Sequence, residues 1–375
     1  MVDFCENFNI IINNYIMNCL SKKHANTGIR RDKNMIVSNE NQITLDWLRS
    51  VLSSSSANVS ITAFKLVMQR SITSKMVFLH IDRHASLNVP EQLLLKIGGT
   101  RYEAGSAARE VDFYQRIATQ IKEPALIPCH FALTDHELGI SNIILSDLQE
   151  THAPPPDALP LGFDWATKCV QSLANLHAAF WNNTRHLDSA DPVTNQIIAR
   201  VEWDYPRFHQ LFGGLLSTRR RAIFEQVFAN FPRLYEKRLN SNLSLTLVHG
   251  DIHPWNFMFP HQSGGPLYLI DWPAWHVGLA TTDLAHFIGL VGYRDYRQQF
   301  EKHFLDIYQA VLRDKGCAFT QAQFFHDYRI SLMRNLYWVI FLWSTGNLPA
   351  AIWWSVLEKA FTAFDDWKCI DLIGE

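Results

Sequence analysis

The sequence predicts an α+β fold with two lobes, in which a small antiparallel sheet carrying one helix precedes a larger, mostly helical lobe. Three observations predict it. In the first part of the chain, apolar and polar residues alternate in short runs, a pattern typical of strands. Later, apolar residues recur at helical spacing over long segments. The proline-rich stretch Thr151–Asp157 separates the two patterns and favours a stiff linker.

The elements of the first lobe follow in order along the chain. A short helix over Asn41–Leu52 brings Leu45, Leu48 and Leu52 onto one face. After this helix we expect the order β-β-β-α-β-β. The predicted strands lie around Val59–Ala63, Met76–His80, Leu93–Ile97, His130–Thr134 and Asn142–Leu145, and the predicted helix lies over Ala104–Ile121.

The second lobe is predicted to contain five helices and one β-hairpin. Pro232 is expected to kink or break the second helix, and the hairpin lies between Leu245 and Trp272. The predicted helices span Phe163–Trp181, Arg219–Leu239, Arg294–Lys315, Thr320–Leu342 and Leu348–Trp367.

These patterns divide the chain into three regions. Residues 1–42 have weak periodicity and are predicted to form an N-terminal extension, with Met35 as an alternative start of the chain. Residues 43–148 form the sheet lobe, and residues 149–375 form the helical lobe.

The composition excludes several classes of protein. Of the 375 residues, 47% are hydrophobic, which is too many for a disordered chain. The net charge of −2 provides no overall field that would attract nucleic acid or an anionic membrane surface. The six cysteines form no close pair, so we expect reduced thiols and a cytoplasmic protein. We therefore expect neither nucleic acid nor a membrane as a partner, and the oligomeric state is left open.

Two short apolar runs near the middle of the second lobe are expected to pair as a hairpin. The runs Phe257–Phe259 and Leu267–Ile270 flank a Ser-Gly-Gly-Pro turn. A symmetric register pairs Phe257 with Ile270, and it also places Asn256 opposite Asp271. Facing residues have Cβ atoms about 5 Å apart, and amide and carboxylate oxygens are ligands that Mg²⁺ prefers. The register therefore predicts a magnesium site formed by these two side chains.

A third polar residue enters the same hairpin. Asp251 lies five residues before Asn256 in the preceding loop, where its carboxylate can face the predicted metal site. A carboxylate beside a divalent ion is suited to accept a proton from a hydroxyl group. Alternatively, each of these residues could serve only to form a turn, because Asp and Asn favour turns.

The pattern His249-Gly-Asp-x-His-x-x-Asn256, followed by Ile270-Asp-Trp272, resembles the catalytic loop and metal-binding Asp of protein kinases. It resembles the aminoglycoside phosphotransferase and choline-kinase-like family more closely. The resemblance extends from Thr44 to the C-terminus and implies a protein-kinase-like fold. Further segments that resemble the family are Lys96 with Ala107–Tyr114, Leu173–Trp181, and Gly278–Ala285.

The resemblance implies a small-molecule kinase that uses ATP and Mg²⁺. Lys96, oriented by Glu110, would hold the α- and β-phosphates, and Asp251 would orient and deprotonate the acceptor hydroxyl. Asn256 and Asp271 would bind Mg²⁺, and Asp283 would brace the catalytic loop. The adenine edge would lie against the backbone of Ser146, Asp147 and Leu148. The implied acceptor is an aminoglycoside, an amino alcohol or a related small hydroxylated metabolite.

One segment departs from the family pattern. The phosphate loop of the family is often rich in Gly or Ser, whereas Arg70–Lys75 contains no glycine. Backbone N–H groups and hydroxyls of this segment can still contact a phosphate.

Alternative functions remain open at this stage. One is a kinase acting on protein side chains, although Asp271 is followed by Trp272 rather than by Phe-Gly. Another is a nucleotide-binding scaffold without catalysis. His249 and His253 have a spacing found in zinc sites, but Pro254 opposes a helix that would put both on one face.

The C-terminal helices offer a hypothesis for a cationic acceptor. Their aromatic residues could form a cage for an ammonium group, or they could simply pack the core. Glu358, Asp365 and Asp366 could hold such an acceptor, although an exposed acidic face explains them as well. The aromatic residues are Tyr337, Trp338, Trp343, Trp353, Trp354 and Trp367.

Overall fold

The computed structural model describes residues 35–52, 61–70, 74–83, 89–99, 104–155, 160–187, 192–344 and 349–373. The chain forms two compact units. The first, here called the sheet unit, comprises Met1–Ala153, Pro260–Gly264 and Ile270–Pro273. The second, called the helical unit, comprises Pro154–Phe259, Gly265–Leu269 and Ala274–Glu375. The chain enters the helical unit after Ala153, five residues beyond the predicted boundary.

The sheet unit has the predicted order of elements. Its helices are α1 (Leu45–Leu52) and α2 (Ala104–Asp112), and α2 continues as one wider turn over Phe113–Ile117. Its strands are β1 (Ile61–Arg70), β2 (Ser74–Arg83), β3 (Gln92–Gly98), β4 (Ala125–Leu126), β5 (Cys129–Asp135), β6 (Ile140–Ser146) and β7 (His152–Ala153). Five of them form an antiparallel sheet in the order β1-β2-β3-β6-β5. The α+β fold class is therefore confirmed.

Alternation along β3 determines the two faces of this sheet. Leu93, Leu95 and Ile97 are buried in a core that α1 covers through Leu48 and Leu52. The intervening residues of β3 point to the opposite face, because successive side chains of a strand alternate. Lys96 is one of them.

Part of the predicted N-terminal extension belongs to this core. Val37 is buried, its backbone N–H donates to Asn142 Oδ1 at 2.7 Å, and Asn142 Nδ2 donates back to its carbonyl at 2.9 Å. Residues 35–42 are thus packed on the sheet, and the predicted start of the sheet lobe at residue 43 is too late. A two-residue contact of this kind leaves no periodic signal in the sequence. Residues 1–34 lie outside the described residues.

The helical unit contains seven described helices and four short strands. Its helices are α3 (Phe163–Ala179), α4 (Pro192–Phe212), α5 (Thr218–Leu239), α6 (Thr281–His286), α7 (Arg294–Asp314), α8 (Gln321–Ser344) and α9 (Ala350–Asp366). Its strands are β8 (Leu245–Val248), β9 (Phe257–Pro260), β10 (Tyr268–Leu269) and β11 (His276–Leu279), in which β8 pairs with β11 and β9 with β10. In the described part of the chain, no helix is both long and apolar enough to cross a membrane.

Two described helices contain a proline that does not break them. α5 continues through Pro232, which cannot donate a hydrogen bond to the carbonyl of Phe228 four residues earlier. The Tyr337 hydroxyl donates to that carbonyl instead, at 3.2 Å. α4 was not predicted, because Pro206 and a mixture of aromatic and charged residues obscure its periodicity.

The predicted register of the β9–β10 hairpin is wrong by one residue. Met258 pairs with Tyr268 and Phe257 with Leu269, rather than Phe257 with Ile270. Pro266 cannot donate to the ladder, and a loop of this length does not fix a symmetric register. The ladder ends at Leu269, so the predicted pairing of Asn256 with Asp271 is not part of it.

Candidate active site

Lys96 is held between two carboxylates in the sheet unit. Its Nζ lies 2.7 Å from Glu110 Oε2 on α2 and 2.7 Å from Asp271 Oδ1. Glu110 is only 3% exposed. Burial alone would lower the pKa of the Lys96 ammonium, but Asp271 and Glu110 outweigh burial and raise it. Lys96 therefore stays charged throughout the physiological pH range.

A glycine brings α2 close enough for this ion pair. Gly98 ends β3 on the same face as Lys96, and a Cβ atom built there would lie 2.9 Å from the Cβ of Ala107. Real Cβ atoms rarely approach so closely, so any side chain at position 98 would push α2 outward. The predicted strand Leu93–Ile97 ends one residue before this glycine.

The residue after Asp271 fixes that carboxylate in the sheet unit. Trp272 is fully buried and stacks on Phe113, with ring centroids 3.9 Å apart and an interplanar angle of 8°. The Trp272 backbone N–H also donates to the Glu110 carboxylate and lowers its pKa, against the larger effect of burial, which raises it. Asp271 has a φ of 66°, in the left-handed region that Asp tolerates better than most residues. The aromatic partner, three residues after Glu110, was missed by sequence analysis.

The loop His249–Asn256 of the helical unit, here called the catalytic loop after the motif it resembles, is anchored by Asp283. Asp283 Oδ2 accepts from the backbone N–H of His249 at 2.7 Å, and Oδ1 accepts from that of Gly250 at 2.9 Å. His177 Nε2 lies 3.2 Å from Oδ2, and Nδ1 of the same ring is 2.6 Å from the Tyr308 hydroxyl. Burial raises the pKa of Asp283, but His177, His249 and the Gly250 N–H together hold it well below its usual range.

Gly250 allows the chain to turn into this loop. Its φ is 86°, and a Cβ atom there would lie 2.3 Å from the Ala274 carbonyl oxygen. The turn leads to Asp251, which is 1% exposed and has Oδ2 3.9 Å from His253 Nε2. Asn256 Nδ2 donates to the Asp251 carbonyl at 2.7 Å, which closes the loop.

The donor chemistry of Asn256 and Asp271 fits a divalent ion. The hydrogen bond from Asn256 Nδ2 turns the amide oxygen of the same side chain away from the Asp251 carbonyl. An amide oxygen and a carboxylate are hard ligands of the kind Mg²⁺ takes, and it commonly binds one or two protein groups together with substrate phosphates.

A comparison with protein-family models supplies the family. Residues 75–319, more than half of the chain, match the phosphotransferase enzyme family. The chain belongs to this family. It is therefore a small-molecule phosphotransferase. None of the curated proteins matches it.

Of two solved structures similar to this phosphotransferase, one shows the same fold. A candidate aminoglycoside phosphotransferase from Ralstonia eutropha is 12% identical, with a TM-score of 0.56, and the match covers 88% of this chain and 98% of that chain. An ethanolamine kinase from Plasmodium vivax is 11% identical, with a TM-score of 0.48 and coverage of 81% and 83%. At such low identity, the likeness to the Ralstonia protein shows the kinase-like fold alone.

The predicted adenine-binding backbone of the phosphotransferase makes local hydrogen bonds. The Asp147 N–H donates to the Gln92 carbonyl at 3.1 Å. The Asp147 carboxylate accepts from the Gln149 N–H at 3.0 Å and also from that of Leu148. Burial raises the pKa of Asp147 against these two donors. Ser146 ends β6, and its N–H donates to the Pro128 carbonyl at 3.0 Å.

The acidic residues suggested for a cationic acceptor are bound by arginines. Each of the three carboxylates on α9 forms an ion pair within the helical unit. The pairs are Glu358 with Arg220 at 2.6 Å, Asp365 with Arg219 at 2.6 Å, and Asp366 with Arg294 at 2.7 Å and with Arg297. Tyr337, Trp338 and Trp353 are buried, as expected of packing residues.

Two further hypotheses from the sequence concern a zinc site and the phosphate loop. Within the described ranges, no three His, Cys, Asp or Glu side chains are grouped so that they could hold a metal ion. Residues 71–73 of the predicted phosphate loop lie outside the described residues.

Proposed function

We propose that this phosphotransferase moves the γ-phosphate of ATP to a hydroxyl group of a small molecule and requires Mg²⁺. The observation that carries the proposal is the Lys96 ammonium, held at 2.7 Å by both Glu110 and Asp271. A buried lysine fixed by a helix carboxylate is suited to neutralise phosphate charge, which is the main task in phosphoryl transfer. Lys96 contacts the α- and β-phosphates, and Glu110 fixes its direction.

Asn256 and Asp271 are the proposed ligands of the metal ion. When bound, Mg²⁺ neutralises charge on the transferred phosphate and on the leaving group. The adenine edge is proposed to lie against the backbone of Ser146, Asp147 and Leu148.

Asp251 is the proposed catalytic base. Its loop is fixed by the contacts of Asp283 with His249 and Gly250 and by the Asn256 side chain. The carboxylate therefore keeps its position without help from a substrate. It orients the acceptor hydroxyl and takes its proton as the new O–P bond forms.

A product-based screen tests this function. The full chain is incubated with ATP, with and without Mg²⁺, against a library of small hydroxylated molecules, and phosphorylated products are detected by mass spectrometry. We expect at least one Mg²⁺-dependent product that Asp251→Asn fails to form. Tight Mg·ATP binding without any product would favour the scaffold hypothesis, and phosphate incorporated only into added proteins would favour a protein kinase.

A further inference from the structure

Arg334 on α8 carries a buried charge without an acidic partner among the described residues. Its side chain has no solvent exposure, and Nε donates to Thr194 Oγ1 at 2.8 Å. Within the described part of the chain, neither Nη1 nor Nη2 donates to an acceptor. Arginine keeps its charge in proteins, and a buried charge without a hydrogen-bond acceptor is costly. The guanidinium of Arg334 therefore has N–H donors that no acceptor among the described residues satisfies.

Other buried arginines of the helical unit differ in this respect. Arg238 binds both oxygens of Asp327, at 2.6 and 2.7 Å. Arg297 binds Glu301 at 2.7 Å and also contacts Asp366. The charges of Arg238 and Arg297 are therefore paired with carboxylates, and Arg334 differs from both.

The surroundings of Arg334 connect it to the catalytic loop. His286 on α6 is buried, and Arg334, His253 and His249 all act on its ring. Burial is the largest cause that lowers the pKa of His286, and Arg334 is the next, so the ring is neutral beside the guanidinium. His286 lies one helical turn after Asp283, which anchors the loop.

The charges around this loop favour an anion over a cation. Arg334 contributes a full positive charge, and Nδ1 of His286 has no hydrogen-bond partner among the described residues. The carboxylates of this loop and its anchor are Asp251 and Asp283. Both oxygens of Asp283 accept backbone hydrogen bonds, and Asp251 is the proposed base for the acceptor hydroxyl. The carboxylates of α9 are bound by arginines and are not available to recognise an ammonium group.

We propose that Arg334 binds an oxyanion of the phosphate acceptor, so that the acceptor is a hydroxylated molecule carrying a carboxylate, phosphate or sulfate group. The planar guanidinium can donate two parallel hydrogen bonds to such a group. The ring of Trp338 lies 4.9 Å from the ring of His286 and 5.8 Å from Arg334 Cζ, so both groups contact the same aromatic side chain. This inference rests on the proposed function, and it narrows the acceptor within the small hydroxylated molecules that the resemblance implies.

The first experiment tests the anion site without turnover. Formate, inorganic phosphate and sulfate are added to the full chain at constant ionic strength, and the melting temperature is measured without nucleotide. We expect at least one oxyanion to raise the melting temperature of the wild type and of Lys96→Met, but not that of Arg334→Gln. Stabilisation lost in Lys96→Met and kept in Arg334→Gln would assign the anion to the nucleotide phosphates and overturn the proposal. So would the absence of any stabilisation.

The second experiment tests the acceptor class. Matched acceptors differ only in one group: glycerate against glyceramide and 3-amino-1,2-propanediol, and gluconate against glucose and glucosamine. Binding is measured by calorimetry and phosphorylation by product detection. We expect the acids to be preferred, and Arg334→Gln to reduce kcat/KM for them by at least about 30-fold while the KM for ATP is unchanged. Arg334→Lys, which keeps the charge and lacks the planar fork, should retain part of the binding and serves if Arg334→Gln does not fold.

The outcomes separate the two proposals. Phosphorylation of neutral or cationic members that Arg334→Gln leaves unchanged would overturn the anion site and keep the phosphotransferase function. An Arg334-dependent oxyanion effect without any phosphorylation would keep the site and contradict the proposed function.

Discussion

At the scale of single residues, the charge of Lys96 decides the chemistry of the sheet unit. Its ammonium is buried with Glu110 and Asp271, and these carboxylates raise its pKa despite burial. Lys96→Met leaves two buried carboxylates without their cation. We expect the KM for ATP to rise and kcat to fall, together by about 10²-fold or more in kcat/KM. Lys302→Met is the matched control, because Lys302 lies on α7 with a side chain that is 86% exposed. Equal losses in both variants would contradict the assignment.

Asp251 supplies the second prediction at this scale. Asp251→Asn preserves the size of the side chain and removes its charge and basicity. Turnover should fall by about 10²–10⁴-fold, the usual contribution of a positioned general base, while ATP affinity and melting temperature change little. Retained turnover would leave Asp251 a turn-forming residue only, and a loss of ATP affinity would make it a metal ligand.

Site residues that belong to a recognisable motif could be predicted from the sequence. Residues whose role depends on contacts between distant segments could not. Lys96 and Glu110 were predicted to hold phosphates, and Asp271 was predicted to bind the metal ion. The structure brings the three side chains together. His177 lies in the predicted helix Phe163–Trp181, but the sequence did not indicate that its ring contacts Asp283. Arg334 gave no signal, because nothing in its helical segment indicates whether a guanidinium has an acidic partner in the fold.

At the scale of elements, the contact of β3 with α2 places the Lys96–Glu110 pair. Gly98→Ala adds a Cβ atom 2.9 Å from that of Ala107 and pushes α2 away from the strand. We expect a loss of about 1–3 kcal/mol of stability, the usual cost of overpacking, together with a raised KM for ATP. Gly214→Ala is a suitable control, because a Cβ atom there meets nothing within 4 Å. An unchanged KM for ATP would mean that α2 can shift without moving Glu110.

Asp283 links α6 to the catalytic loop, and its ionisation makes that link depend on pH. Its pKa is below the ordinary value, so its contribution to stability is present above about pH 4 and is lost as the pH falls through its folded-state pKa. Asp283→Asn should destabilise the protein by about 2–4 kcal/mol at pH 7, measured by urea unfolding. The difference from the wild type should stay constant between pH 8 and pH 5 and shrink below about pH 4. Asp314→Asn, at an exposed site, should change stability by less than about 0.5 kcal/mol. A difference that grows in acid would contradict the ionised state.

Element types were predicted more reliably than the geometry between elements. The order β-β-β-α-β-β depends on alternation and helical spacing, which are local signals. The hairpin register depends on how Pro266 and its neighbours shape one loop, and a slip of one residue changes which side chains face each other. α4 was missed because Pro206 argues against a helix locally, while packing against α8 stabilises it.

At the scale of the whole molecule, the residues proposed for catalysis and for metal binding belong to two different compact units of the chain. Asp251 and Asn256 belong to the helical unit, and Lys96, Glu110 and Asp271 belong to the sheet unit. That these residues lie in different units was predictable, because their motifs follow one another on elements of different type. That Ile270–Pro273 belongs to the sheet unit was not predictable, because it depends on the packing of Trp272 against Phe113.

Nucleotide binding should therefore stabilise the full chain in a metal-dependent way. A ligand that binds only the folded state at 100 times its Kd adds about 2.7 kcal/mol to stability. We expect Mg·ATP at that excess to raise the melting temperature by a few degrees, and ATP with EDTA to raise it much less, because Asn256 and Asp271 then lack the ion that joins them to the phosphates. Asp271→Asn should remove most of the magnesium-dependent part, whereas Asp314→Asn should keep all of it. A shift of equal size with and without magnesium would show that the nucleotide is held by Lys96 and the backbone alone, and it would remove both residues from the list of metal ligands.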